Sequence, residues 1–415
     1  MNFNMNIIKD LKDRGILKDI TNIEKFQNID NQAFIYSGFD PTAKSLHLGN
    51  YIQISVLLRL KKAGINVIAL VGGATGIIGD PSFRSSERVM LDDKEILNNK
   101  SSIIKQLQKF DLKVIDNFDF YNNMSILDFL KNVGTLININ YLLSKDSITS
   151  RLDNGLSFTE FTYSLIQGWD FYKLYKDYNV YGQFGGSDQW GNITTGLEII
   201  SKKEGANHKG FAFTTNLLTD QTGKKFGKST GGGSLWLNPE LTKPYQMYQF
   251  LLNQPDEEVE KLLKWLTFLE LSEIDKIIKE HNLDPKKRHA QKQLAYQIIK
   301  DIHGQNEANA SKSLSSILFD KDLDISKISI NDIELIMSEL KVLEVKKNEN
   351  LIESLIELKV VKSKREAREF IEKGAIKLNL KSIDESQKNY SEFFDNYYAI
   401  LHIGKKNIYL LKIIE

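Results

Sequence analysis

Two short runs in this 415-residue chain carry residue types suited to a nucleotide: His47-Leu48-Gly49-Asn50 and Lys224-Lys225-Phe226-Gly227-Lys228-Ser229. The first opens an amphipathic stretch just beyond Asp40-Pro41-Thr42. A helix start offers unsatisfied N–H groups and the positive end of a dipole, and both attract phosphate. His47 and Asn50 are three apart and share one side of the first turn, while Gly49 leaves room for a nucleotide against the backbone. Taken alone, the tetrapeptide is explained equally well by a capped helix with a surface histidine. In the second run, Lys225 and Lys228 are hinged by glycine and can close over a triphosphate, neutralising charge that develops on leaving pyrophosphate. Alone, that run reads more simply as a solvated basic loop.

A third set is Tyr163, Gln167 and Asp170. Their i, i+4, i+7 spacing puts all three on one face of one helix, where they can look into a single pocket. The alternative is a buried network that satisfies itself. With no cysteine in the chain, disulfides, thiolate ligands and a cysteine nucleophile are excluded.

These groups need elements to hold them. Residues 33–39 read as a strand, 48–62 as an amphipathic helix closed by Gly64, and 67–71 as a second strand. That βαβ unit implies a parallel sheet with a right-handed crossover, and ligands in such sheets bind beyond the strands' carboxyl ends. The loops after Phe39 and Val71 are therefore the places to search. Residues 93–145 read as mostly helical and 158–176 as another helix. A strand at 180–184 then runs into Gly185-Gly186-Ser187-Asp188-Gln189. The chain is helical from Pro244 to about Phe319, with clear runs at 256–265 and 286–303, and the charged stretch 320–350 reads as a linker. Near the end, Ser363-Lys364-Arg365-Glu366 is a capping box for a helix ending at Gly374, followed by a strand at 375–380. Lys362, Lys364, Arg365 and Arg368 cluster there as a local basic patch.

The length implies several domains, and 41% hydrophobic with 26% charged residues fits a soluble, folded chain. A net charge of +1 excludes a whole-protein basic field, so an RNA partner must be held by local patches. The N-terminus lacks a signal-peptide core, and no stretch approaches the roughly 20 apolar residues of a membrane span. A cytoplasmic location away from the membrane is expected.

Together, the His-x-Gly-x turn and the Lys-x-x-Lys-Ser loop are the paired signature of class I aminoacyl-tRNA synthetases. Five longer stretches resemble the tyrosyl-tRNA synthetases of bacterial type in particular. They are Phe39-Asp40-Pro41-Thr42-Ala43, Gly72-Gly73-Ala74-Thr75-Gly76, Ile78-Gly79-Asp80-Pro81-Ser82, Phe158-Thr159-Glu160-Phe161-Thr162-Tyr163 and Gly185-Gly186-Ser187-Asp188-Gln189-Trp190-Gly191-Asn192. The Lys-Phe-Gly-Lys-Ser form of the loop agrees, and the resemblance spans essentially the whole chain.

The resemblance implies an α/β enzyme: a Rossmann-like parallel-sheet catalytic domain at 1–230 with a helical insert at about 93–145, an α-helical domain and linker at 231–345, and a small α+β S4-like RNA-binding domain at 346–415. It implies a tyrosine–tRNA ligase that forms tyrosyl-adenylate from L-tyrosine and ATP and passes tyrosine to tRNA(Tyr). Tyr36 and Asp170 would take the phenol, and Asp80, Tyr163 and Gln167 the α-amino group, with Thr75, Asn140 and Gln189 nearby. ATP would lie against Gly38, Asp40, His47, Gly49 and Asn50, with its ribose near Gly186 and Asp188. Arg84, Arg88, Lys225 and Lys228, with Ser229, would bind the pyrophosphate. The tyrosine carboxylate is already ionised and needs no general base, so catalysis rests on positioning and charge stabilisation by His47, Asn50 and those cations. Magnesium is expected with ATP; neither a built-in metal site nor a tightly bound cofactor is expected.

One departure is Asn50, where the signature often has histidine; asparagine offers an N–H donor but never a positive charge. The final module, with Val361, Ser363, Glu366, Ala367, Arg368, Ile371, Gly374, Ala375, Ile376 and Asn379, resembles the S4 domain. That implies phosphate contacts from Lys362, Lys364, Arg365 and Arg368. A homodimer meeting at 124–141 is also implied. Two rivals stand beside this reading. Tryptophan activation on the same scaffold is disfavoured by Tyr36 with Asp170, because an indole has no hydroxyl at that end. A non-catalytic RNA-binding or splicing factor is disfavoured by the retention of both lysines with His47 and Gly49.

Overall fold

The structure, a computed structural model, describes residues 3–80, 82, 92–145, 148–149, 155–219, 226, 234–320, 328–389, 397–404 and 407–415. In chain order its first part contains α1 (Phe3–Asp13), β1 (Leu17–Ile20), α2 (Ile23–Gln27), β2 (Phe34–Phe39), α3 (Leu48–Lys62), β3 (Asn66–Val71), α4 (Thr75–Ile78) and α5 (Asp93–Lys109). There follow β4 (Lys113–Asp116), α6 (Ile126–Phe129), α7 (Ile139–Leu143), α8 (Phe158–Tyr178), β5 (Val180–Gly186), α9 (Trp190–Glu204) and β6 (Phe211–Thr215).

Among the described residues these six strands form one sheet in the order β1-β6-β5-β2-β3-β4. All neighbouring pairs are parallel except β1 with β6. β3 buries five consecutive residues, as a parallel strand covered on both faces must. From β2 the sheet grows one way through β3 and β4 and the other way through β5 and β6. The switch point therefore lies between β2 and β5, where α/β sheets bind ligands.

The expected βαβ unit is present, and its helix spans Leu48–Lys62 as read. The stretch 93–145 is less helical than expected, because Lys113–Asp116 is an edge strand paired with Ile68–Val71. Its residues are half-buried or exposed, so no alternation marks it in the sequence. β6 is buried at every position, which likewise erases the period.

The rest comprises α10 (Pro244–Leu252), α11 (Asp256–Leu266), α12 (Leu271–Leu283), α13 (His289–His303), α14 (Gln305–Phe319), α15 (Ile330–Glu339), β7 (Lys341–Lys346), α16 (Leu351–Glu357) and α17 (Lys364–Glu372). β8 (Ile376–Leu378), β9 (Lys381–Ser382), β10 (Tyr398–Ile403) and β11 (Asn407–Ile414) complete it. The helix read at 286–303 starts only at His289, since Pro285–Lys287 form a 3-10 turn and Arg288 takes a left-handed φ of 56°.

Two compact units emerge, residues 1–243 with 254–294 and residues 244–253 with 295–415. In the second, a sheet of order β7-β11-β10-β8-β9 buries Leu343, Val345, Leu401 and Leu411 against Leu351, Leu355 and Ala367. Another cluster joins Leu314 and Leu318 to Ile333, Ile336, Ile400 and Leu410. The linker read at 320–350 is thus corrected. Its described part holds α15, capped reciprocally by Ser329 and Asp332, and β7, which pairs with β11. The charges that suggested a linker, Lys341, Glu344 and Lys346, are the outward positions of a strand. Ser363 caps α17 as expected, but Glu366 accepts from the backbone N–H of Lys362 rather than that of Ser363. No helix of the described residues is long and apolar enough to cross a membrane.

Candidate active site

A cavity of about 280 Å³ is lined by the ends of β2 and β5 and the segments that follow them. β2 brings Tyr36 and Gly38, with Asp40 just past its end. Thr75 and Asp80 come from the segment after β3, Asn50 from α3, and Gln183, Asp188 and Gln189 from β5 and beyond. Tyr163, Gln167 and Asp170 all line it from α8, as their spacing required. That helix starts at Ser157, whose hydroxyl accepts from the Glu160 N–H, and ends at left-handed Asn179.

Asp170 is 1% exposed. Its two oxygens accept from Asn117 Nδ2 at 2.8 Å and Tyr121 OH at 2.6 Å. Burial pushes its carboxyl up to about 8, against the pull of those two hydrogen bonds; the Asp40 and Asp116 charges add to the rise. The Tyr36 phenol is pushed well above its ordinary range, first by burial and then by the Asp170 charge. Its hydroxyl has no hydrogen-bond partner, and neither do Ser37 Oγ, Gln167 Oε1 and Gln183 Oε1. All four belong to residues that line the cavity. A network that only satisfied itself would not leave these atoms at a cost of about 1–3 kcal/mol each.

A pH dependence follows for Asp170. The unfolded chain ionises it near 3.8 and the fold near about 8, so between those limits the folded state holds a proton that unfolding releases. Its contribution to stability is complete below the unfolded value and is lost as pH rises through the folded one. The melting temperature of the ligand-free protein should fall across this window, and Asp170→Asn should flatten the slope. Parallel melting curves for the two proteins would contradict it.

Beside this pair, Asp40 accepts from Thr75 Oγ1 at 2.7 Å and Tyr163 OH at 2.9 Å. Asp80 accepts from Gln189 Nε2 at 2.7 Å. A Cβ at Gly72 would stand 2.0 Å from Asp40 Oδ1, so only glycine fits there. Asp40, Asp80, Asp170 and Asp188 line the cavity, and no lysine or arginine does so among the described residues. Such a surface suits an ammonium group and repels phosphate unless cations are supplied.

His47 caps α3: its Nδ1 accepts from the Asn50 N–H at 3.3 Å, and Asn50 Oδ1 accepts from the His47 N–H at 3.0 Å. Asn50 is therefore the reciprocal cap, which commits its carbonyl and leaves Nδ2 as the donor available to a ligand. A Cβ at Gly49 would stand 2.8 Å from His47 Cε1, so the imidazole itself requires glycine.

The cavity thus gathers most of the expected residues but not all. His47, Gly49 and Gly186 do not line it, although Asn50 and Gly185 beside them do. Asn140 is exposed on α7 and does not line it either. Arg84, Arg88, Lys225, Lys228 and Ser229 lie outside the described residues. Asn117 and Tyr121, which hold Asp170, and the lining residues Ser37, Gln53 and Gln183 were not anticipated. A strand at 113–116 would have pointed to Asn117, since it follows that strand's carboxyl end, but the strand left no signal. In the C-terminal basic patch, Lys364 pairs with Glu353 at 2.8 Å and Arg368 with Glu385 at 2.9 Å.

Residues 28–320 match the family described as tRNA synthetases class I (W and Y), and residues 332–411 match the tyrosine–tRNA ligase SYY-like C-terminal domain. A tyrosine–tRNA ligase of Mycoplasmopsis synoviae is 56% identical, with 98% of this chain and 99% of that one covered. One of Mycoplasmopsis agalactiae is 49% identical, covering 98% and 100%. A C-terminally truncated mitochondrial tyrosyl-tRNA synthetase of Aspergillus nidulans superposes with TM-score 0.69 at 31% identity, covering 75% of this chain and 94% of that one. A Plasmodium falciparum tryptophanyl-tRNA synthetase, at 13% identity and TM-score 0.54 over 80% and 91%, shares the fold. With two matched segments in the expected order and relatives aligned over nearly all of its length, the chain belongs to the class I tRNA synthetases and, within them, to the tyrosine–tRNA ligases.

Proposed function

We propose that the chain joins L-tyrosine to ATP, releasing pyrophosphate and forming tyrosyl-adenylate, and then transfers tyrosine to the 3′ end of tRNA(Tyr). The observation that carries this reading is the buried Tyr36 and Asp170 in one cavity, with the Tyr36 hydroxyl unsatisfied. A substrate phenol donates to Asp170 and accepts from Tyr36. An indole cannot do this, and phenylalanine would leave both groups unpaired; the reference case for such discrimination is this same family's rejection of phenylalanine, about 10⁵.

The α-ammonium group donates to Asp80, to Gln167 Oε1 and to the oxygen of Tyr163, whose proton is committed to Asp40. Thr75 and Gln189 act through the carboxylates they hold. Asn140, being exposed, takes no part in this arrangement. ATP lies against Gly38, Asp40, Asn50 and the turn of His47 and Gly49, with its ribose toward Gly186 and Asp188. The tyrosine carboxylate attacks the α-phosphorus, the bond to pyrophosphate breaks, and Arg84, Arg88, Lys225, Lys228 and Ser229 take up the leaving charge. Magnesium would enter as the counter-ion of ATP.

Residues 346–415 grip tRNA through Lys362, Lys364, Arg365 and Arg368, in the cytoplasm where ATP and tRNA meet. Ile126 and Leu127, 75% and 73% exposed, with Leu130 and Ile139 also exposed, support a homodimer joined at 124–141. ATP–pyrophosphate exchange, assayed with each amino acid in turn, tests the reading. Tyrosine-dependent exchange is expected; exchange driven by tryptophan, or none at all, would overturn it.

A further inference from the structure

We infer that Gln106 is a positioning residue for the nucleotide-binding turn, its buried amide fixing the backbone that carries His47 and Asn50. The inference rests on the function proposed above and concerns the ATP half of the site only.

Gln106 is on α5, 8% exposed and outside the cavity lining. Its Oε1 accepts from the Leu46 N–H at 2.9 Å, and its Nε2 donates to Ser45 Oγ at 2.9 Å. Ser45 Oγ in turn donates to the Leu46 carbonyl at 2.8 Å and accepts from the Asn238 N–H at 3.2 Å. The same short segment is laced to a second piece of chain. Leu48 N donates to Leu235 O and Leu237 N to Leu46 O, both at 2.8 Å, with His47 bridged to Trp236 between them. One glutamine therefore holds the residue before His47 directly and, through Ser45, the segment paired with it. Two turns earlier on the same helix, Asn99 Nδ2 donates to Pro41 O at 3.3 Å, so α5 ties down the approach to the turn at two points.

The position demands an acceptor and a donor on one rigid planar group, which among side chains of this length only glutamine supplies. Glutamate keeps the acceptor for Leu46 N and loses the donor to Ser45; leucine loses both. The hydrogen bonds of Gln106 go to Leu46 and Ser45, and neither residue is among those assigned to tyrosine. Removal of Gln106 should therefore shift the His47 turn without altering tyrosine binding. A core hydrogen bond with no positioning role would weaken both halves together or neither.

The test uses the full chain with Gln106→Leu, Gln106→Glu and Ser45→Ala, measuring tyrosine-dependent ATP–pyrophosphate exchange, tyrosine binding by equilibrium dialysis, and thermal melting. Gln106→Leu should lower kcat/KM for ATP by about 10- to 100-fold, as misplacement of a reacting group by an ångström does. Tyrosine affinity should stay within about twofold by the same reasoning. Gln106→Glu should recover part of the loss. Ser45→Ala, which keeps the bond to Leu46, should show a smaller loss confined to ATP and serves if the leucine variant does not fold. Equal losses of tyrosine binding and ATP use, or unchanged ATP parameters, would overturn the inference. Absence of tyrosine-dependent exchange in the parent chain would instead overturn the proposed function.

Discussion

Asp170→Ala should reduce tyrosine-dependent pyrophosphate exchange by about 10²- to 10³-fold while leaving the KM for ATP within about threefold. The size follows from what the carboxylate does in the fold. It accepts from Asn117 and Tyr121 at full burial, and under the proposed function from the substrate phenol as well. Each hydrogen bond contributes about 0.5–1.5 kcal/mol net, and truncation also strands two buried donors at about 1–3 kcal/mol each. The ATP side should be spared because the hydrogen bonds of Asp170 go to Asn117 and Tyr121 and not to the turn at His47. Tyr36→Phe makes the complementary test. It removes one hydroxyl that the protein itself leaves unsatisfied, so stability should be unchanged or higher while discrimination against phenylalanine narrows. Steady-state exchange with tyrosine and phenylalanine reads both. An equal fall in tyrosine and ATP parameters for Asp170→Ala would show that the carboxylate maintains the fold and does not select the substrate.

What the sequence revealed of this site depended on local periodicity. The spacing of Tyr163, Gln167 and Asp170 survives in the structure because an uninterrupted helix, capped at Ser157 and Asn179, converts sequence interval directly into a shared face. The turn at His47 was legible for a similar reason, since a cap is a property of four consecutive residues. Asn117, Tyr121 and Gln106 were not. Each matters through a partner 49 to 61 positions away, and such pairings are set by strand order and helix placement, which leave no local trace. The β7 edge of the C-terminal sheet was hidden for a related reason. β7 and β11 are parallel neighbours at opposite ends of the module, and the outward charges of β7 imitate a linker. One consequence is practical. A truncation at Asn350 would leave β7 without β11 and uncover Ile333 and Ile336, so it would not be a clean removal of the RNA-binding part.

Lys225→Ala combined with Lys228→Ala should cost at least as much as the loss of Asp170, but on the opposite substrate. Four carboxylates line the cavity, and among the described residues no lysine or arginine does. A triphosphate approaching Asp40 and Asp188 meets net negative charge, and the α3 N-terminus alone supplies only about half an elementary charge. Under the proposed function, charge that develops as pyrophosphate leaves is met by Lys225, Lys228, Arg84 and Arg88, all outside the described residues. Removing one preorganised donor to such a leaving group typically lowers kcat by about 10²- to 10³-fold. Tyrosine binding should be unchanged or slightly tighter, because an ammonium group gains when neighbouring cations are lost. The decisive measurement is kcat at saturating ATP in each single and the double variant, with tyrosine affinity measured separately. Two singles each near the loss of the double would mean that the lysines act as one clamp. Full activity in the double variant would transfer the whole neutralising role to Arg84 and Arg88 and refute the assignment.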